Sequence, residues 1–319
     1  MKTCILLLLL LLMDFATYAQ NFEKITLKKI DEHNLYVNDE DANSLHYYIQ
    51  YPKEKVKGAV ILMPASGETT EAVIQQISLN EKTYGNNIAI IIPSINWGTD
   101  DRVPEIDVLN TIFKNLVEQK QFPKNNFVLG GLSNGGIIAL TYVQKSIQNP
   151  EQTYLKPAGI LAIDTPLDKI RLYQYCEREI NRNFSEAGMA EAKWMLDYYQ
   201  NLYGGTPTQV PEKYIESSIY SFGVKNGGNA LYFKNMPILM FSDLDTDWLI
   251  NERHRDIYDW NGIDIVAFIN QLKLLGNNNA NVIISQGKGF RLDGSKHPHS
   301  WSIMDTNKSF DWLKELFKN

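Results

Sequence analysis

The sequence predicts an α/β protein, a mostly parallel sheet with helices packed on both faces. Three observations predict it. Short apolar, β-branched runs alternate with segments of helical period. A serine set between glycines stands where one of these runs turns into a helix. The alternation then breaks once, between Thr165 and Asn235, for a helical and aromatic stretch.

The elements follow in order. "SLHYYIQYP" and "GAVILMP" are the first clear strands, followed by "NIAIIIPS". Ile106, Leu109, Phe113, Leu116 and Val117 recur at helical spacing, with Pro104 suited to the first turn. The strand "NNFVLG" leads into the serine turn, and "PAGILAID" is the next buried run. After the helical stretch come the strand "MPILMFS", a helix on Ile265, Phe268, Ile269, Leu272 and Leu275, the strand "NVIIS", and a closing helix through Phe310, Leu313 and Phe317. The polar region 20–43 reads as edge strand or irregular chain.

Within the interruption, one helix spans Asp168 to Asn181. A second starts at Ser185 as N-cap and stops at Gly204-Gly205, and a third, shorter one covers Tyr214 to Ser221. The expected organisation is a signal peptide over 1–19, a core from 20–165 and 236–319, and a helical cap over 166–235. Arg171, Arg178 and Arg182 share one helix face, which reads as solvated, with a substrate carboxylate as the alternative partner. Tyr173, Tyr175, Trp194, Tyr198 and Tyr199 are expected to pack on the core, or else to stack on a sugar or aromatic acyl group.

The start, "MKTCILLLLLLLMDFATYAQ", has a basic residue, an apolar run and small residues at Thr17 and Ala19. It reads as an export signal cut after Ala19, too short for a span of roughly 20 apolar residues. Export to the periplasm or the exterior is therefore expected, without stable membrane insertion. Of the 2 cysteines only Cys176 survives such processing, so no intramolecular disulfide is expected. A net charge of −6 favours solubility and argues against nucleic acid or anionic membrane as a partner.

Gly131-Leu132-Ser133-Asn134-Gly135 fits G-x-S-x-G, with an apolar strand before it and a helix after it. Such a turn thrusts the serine hydroxyl above the sheet at a helix N-terminus. A serine is a weak nucleophile until a base takes its proton, and that base needs an orienting acid. Five histidines are available. His33 and His46 read as surface residues on N-terminal segments, and His254 as a solvated residue among charges. His297 and His299 remain, in "GSKHPHSWSI" between the last strand and the final helix. Pro298 favours an extended backbone in which the two rings lie roughly 7 Å apart, so that one alone reaches the serine. His299 is preferred and His297 is the alternative base.

For the acid, "SDLDTDW" delivers Asp243, Asp245 and Asp247 just past a strand. A calcium loop is excluded, since its sixth position would be Trp248 and its twelfth His254. Asp245 is the expected acid, with Asp247 and Asp164 as alternatives and Asp243 last. No H-E-x-x-H, C-x-x-C pair, Walker sequence or nucleotide-binding glycine motif occurs, and neither a metal nor another cofactor is expected.

The elbow at Ser133, the order Ser133, Asp245, His299 and the insertion after "ILAID" resemble the α/β-hydrolase family over most of residues 45–319. The resemblance implies an eight-stranded, mostly parallel sheet, an active site at the C-terminal strand ends, and no cofactor. It also implies an oxyanion hole from the backbone N–H of Asn134 with a second N–H from Ala65 or Ser66. The expected activity is hydrolysis of a small-molecule carboxylic ester through an acyl-enzyme. A peptidase or amidase of the same fold, or an inactive secreted binding module, are the alternatives.

Overall fold

The computed structural model describes residues 22–37, 44–98 and 102–318. The expected signal peptide, its cleavage point after Ala19 and Cys4 lie outside the described residues.

Eight strands form one sheet: β1 (Glu23–Ile30), β2 (Ser44–Gln50), β3 (Gly58–Met63), β4 (Ile88–Pro93), β5 (Phe127–Leu132), β6 (Gly159–Ile163), β7 (Ile238–Asp243) and β8 (Ala280–Ser285). Their order across the sheet is β1-β2-β4-β3-β5-β6-β7-β8. β2 pairs antiparallel with β1 and β4, and every pairing from β4 to β8 is parallel. Residues 23–30 thus become an edge strand. The five strands from β4 through β7 are buried along their whole length, which is why they read as unbroken apolar runs rather than alternations.

Successive side chains on these strands feed opposite cores. Ile61, Met63 and Leu129 join one layer with the helices α3 (Val103–Lys114), α4 (Asn134–Gln148) and α9 (Gly262–Leu274). Val60, Leu62 and Val128 join the other with α1 (Thr70–Gln76), α2 (Leu79–Tyr84) and α10 (Thr306–Leu316). The helices α1 and α2, at 7 and 6 residues, are too short to show a period in the sequence.

Between β6 and β7 the chain forms α5 (Lys169–Arg182), α6 (Glu186–Tyr203) and α7 (Pro211–Ser217), and a further helix, α8 (Thr246–Arg253), follows β7. Local chemistry sets their ends. The Asp168 carboxylate accepts from the N–H groups of Ile170 and Arg171, the Ser185 hydroxyl accepts from Gly188 N–H, and Gly204 closes α6 at φ 79°. Leu172, Tyr173, Tyr199 and Tyr214 make a separate small core among these helices. The returning segment is different, since Ile219, Tyr220, Ala230, Phe233 and Met236 pack into the main core beneath the sheet.

The arginine face of α5 is neither solvated nor turned to a ligand. Arg171 Nε lies 2.5 Å from Asp264 Oδ1, and Arg178 Nε lies 2.7 Å from Asp259 Oδ1. Arg182 pairs with Asp256 and Asp259, and Glu179 on the same helix binds Arg255 at 2.8 Å. The reason is tertiary: the segment 255–264 supplies a row of carboxylates opposite that face. Cys176 is buried beside Met195, and burial pushes its thiol up to about 12.

Candidate active site

Ser133 lies between β5 and α4 with φ 56° and ψ −119°, a region that costs a non-glycine residue roughly 1–3 kcal/mol. Its N–H donates to Ile163 O at 3.0 Å, and its own carbonyl accepts from Ile137 N–H at 3.2 Å. The surrounding glycines are required by close approach. A Cβ on Gly135 would lie 2.2 Å from Met63 O, and one on Gly131 would lie 2.5 Å from the same atom. A Cβ on Gly136 would lie 2.0 Å from Thr165 Oγ1. These contacts let α4 start directly over β3 and β6, leaving its first N–H groups, Asn134 included, without partners inside the helix.

His299 Nδ1 lies 2.6 Å from Asp164 Oδ2. Asp164 follows β6 with φ 38°, its N–H donating to Phe241 O at 2.8 Å. Its other oxygen accepts from the Ser242 hydroxyl at 2.7 Å, and Asn261 Nδ2 donates to Oδ2 at 3.4 Å. A carboxylate held in this way keeps the proton on Nδ1 and leaves Nε2 as the basic nitrogen. Burial disfavours the charged ring of His299, but the hydrogen bond and charge of Asp164 outweigh it and raise its pKa above the ordinary value.

Asp245, the expected acid, is not on this histidine. Its carboxylate caps α8, accepting from Trp248 N–H at 3.0 Å, and pairs with Lys296 Nζ at 2.5 Å. Lys296 overcomes the cost of burial and holds the Asp245 carboxyl below its usual range. Asp247 is exposed in the first turn of α8. Asp243 is buried and accepts from Ser285 Oγ and from the N–H groups of Lys288 and Gly289, so it fixes the start of the loop that ends in His299. Asp243, at the end of β7, and Asp245 just past it therefore hold the histidine loop, while Asp164, which follows the neighbouring β6, meets the ring.

His297 is turned away from the serine cavity. Its Nδ1 accepts from His299 N–H at 3.2 Å, and its ring meets Trp248 edge-on at 4.7 Å. Burial, with the charges of Arg291, His299 and Arg253, pushes its pKa down to about 4. His46, expected at the surface, is fully buried: Nδ1 bonds Ser44 O at 2.9 Å, and the ring is flanked edge-on by Tyr36 and Tyr48. Tyr36, on the chain before β2, and Thr70 of α1 lie against it, which the sequence of β2 alone does not reveal. His33 and His254 are exposed as expected, His254 stacking on Phe184.

Ser133, Asn134 and His299 line one cavity of about 940 Å³, together with Ala65 and Ser66 from the loop after β3. Trp194 and Tyr198 of α6 stack at 5.4 Å along one wall, and Trp97 from the loop after β4 meets Trp194 at 5.6 Å. Tyr173 is buried in the small helical core away from the cavity, while Tyr199, in the same core, also lines the cavity. The Ala65 N–H is occupied, donating to the Glu68 carboxylate at 3.0 Å. Sequence reading gave Glu68 no role, and a single glutamate after a strand carries no signal for one. Among the described residues no group of three His, Cys, Asp or Glu side chains is placed to hold a metal ion, and no helix is long and apolar enough to cross a membrane.

No family model matches the sequence, and no curated relative does. Solved structures do. The chain is similar to a bacterial heroin esterase at 12% identity and TM-score 0.56, over 94% of this chain and 85% of that one. It is similar to MPT51 (FbpC1) of Mycobacterium tuberculosis at 11% identity and TM-score 0.55, over 94% and 98%. An esterase of the fungus Rhizomucor miehei matches at 12% identity and TM-score 0.53, over 95% and 87%. At these identities the likeness shows the fold alone, that of the α/β-hydrolases.

Proposed function

We propose that this chain, an α/β-hydrolase by fold, is a serine hydrolase that cleaves a small-molecule carboxylic ester. The observation that carries the reading is the convergence on one cavity of a strained serine at a helix N-terminus and a histidine bonded to a buried aspartate. His299 takes the proton of Ser133 as the hydroxyl attacks the ester carbonyl, and Asp164 fixes the imidazole tautomer and stabilises the imidazolium. The N–H groups of Asn134 and Ser66 receive the negative charge that develops on the carbonyl oxygen. His299 then protonates the departing alkoxide, and water cleaves the acyl-enzyme by the same route.

The wall of Trp97, Trp194 and Tyr198 supports an ester that carries a flat apolar ring, because the half-exposed Trp194 indole inside a cavity offers stacking area with little ordering cost. Export through the segment 1–19 completes the reading, and N-terminal sequencing of the secreted protein, expected to begin at Gln20, tests it.

The decisive experiment is intact mass after a fluorophosphonate probe, beside Ser133→Ala and heat-unfolded controls. One adduct on the folded protein alone, mapped to Ser133, supports the reading. Absence of any adduct, with no turnover of esters or peptides, favours a binding module on the same fold.

A further inference from the structure

The geometry points to Glu68 as a positioning residue that locks the oxyanion loop and the histidine loop to each other; this rests on the Ser133–His299 reading above. The loop after β3 turns sharply, with Glu68 N–H donating to Ala65 O at 3.1 Å and Gly67 at φ 71°. The Glu68 side chain then folds back across the turn. Oε2 accepts from Ala65 N–H at 3.0 Å and from the Trp301 indole N–H at 2.9 Å, while Oε1 accepts from Gln76 Nε2 at 2.5 Å. One carboxylate thus joins three segments: the oxyanion loop, α1, and the turn that begins two residues after His299. Trp301 is 1% exposed, so its indole is a fixed post rather than a mobile contact.

Two consequences follow for the chemistry. Because Ala65 N–H is committed to the carboxylate, the next N–H of the turn, that of Ser66, is the one assigned to the reacting oxygen. The base and the oxyanion donor also move as one body, and catalysis is sensitive to misplacements on the scale of an ångström. A neutral amide cannot reproduce this. In Glu68→Gln one acceptor oxygen becomes an N–H group that faces either the donors of Ala65 and Trp301, in place of Oε2, or that of Gln76, in place of Oε1.

The test compares Glu68→Gln, Trp301→Phe and their double mutant with the wild-type protein and Ser133→Ala. It uses an aryl ester and follows kcat, KM and the pH dependence of kcat/KM, with thermal melting to confirm folding. Glu68→Gln is expected to lower kcat roughly 10- to 100-fold, less than outright loss of an oxyanion donor, with KM changed by less than about twofold. Trp301→Phe, which keeps the ring and removes the donor, should show part of that loss, and the two losses should not add. His299 is faced by the carboxylates of Asp164, Glu191 and Glu68 and by His297, so removing the Glu68 charge should move the acid limb of kcat/KM to lower pH.

Wild-type kcat in folded Glu68→Gln overturns the proposal. So does a kcat loss with an unmoved acid limb and no coupling to Trp301→Phe, which would make Glu68 a brace for folding alone. Turnover retained in Ser133→Ala would instead refute the serine reading itself, and this outcome is distinguishable because it does not depend on Glu68.

Discussion

His299 and Asp164, 135 residues apart in the chain, meet through Nδ1 and Oδ2 at 2.6 Å. Asp245, nearer in sequence and expected in that role, is held instead by Lys296 and Trp248. The two carboxylates should therefore answer differently to isosteric replacement. Asp164→Asn should lower kcat by roughly 10²- to 10⁴-fold, because the amide favours the wrong imidazole tautomer. Asp245→Asn should keep most activity while costing about 1 kcal/mol or less in a denaturant melt, since asparagine still caps a helix. The reverse order of activities would assign the acid to Asp245.

The pH dependence follows from the raised pKa of His299. With the neutral ring as the proposed base, kcat/KM should fall as pH drops through a midpoint above the ordinary 6.5. Stability moves the other way. The charged pair with Asp164 contributes below the unfolded histidine value and is lost as pH rises through the folded one. Rate profiles over about pH 5 to 9, set beside urea melts across the same range, check both signs. An acid limb centred below 6.5 would contradict the pairing.

Gly136 faces Thr165, the residue after Asp164. Gly136→Ala would force its Cβ against Thr165 Oγ1 and push the acid away from His299. A loss of about 1–3 kcal/mol of stability is expected, with activity falling further than the melt alone explains. Thr165→Ala in the same chain should restore part of both, since two of the three crowding atoms belong to the threonine side chain beyond its Cβ. No recovery in the double mutant would place the strain elsewhere.

Trp194 is half exposed although it borders the cavity. Trp194→Ala should raise KM for methyl esters of ring-bearing acids by about tenfold, the equivalent of a stacking contact of roughly 1.4 kcal/mol. Methyl esters of short straight-chain acids should be unaffected. An equal change for both series would show that Trp194 supports the packing of α6 and does not meet the substrate.

Where the candidate site was legible in the sequence, the signal was local. The elbow is readable because its glycines and serine are contiguous, and the α5 and α6 starts because Asp168 and Ser185 cap their own helices. Arg171, Arg178 and Arg182 could be placed on one helix face but not matched with Asp264, Asp259 and Asp256, because helical period says nothing about the surface opposite. Trp301 and Glu68 gave no hint of each other for the same reason, being 233 residues apart.

The sequence by itself determined the strand and helix pattern and the glycine-flanked strand-to-helix turn at Ser133, both carried by neighbouring residues and their periodicity. Only the tertiary structure decided which carboxylate meets His299, that His46 is buried, and that Glu68 binds the loops on either side of the cavity. Those facts depend on which strand ends lie side by side across the sheet. In the order β5-β6-β7-β8, β6 lies next to the serine strand and sets Asp164 against the ring, while Asp243 at the end of β7 and Asp245 after it anchor the loop that delivers it.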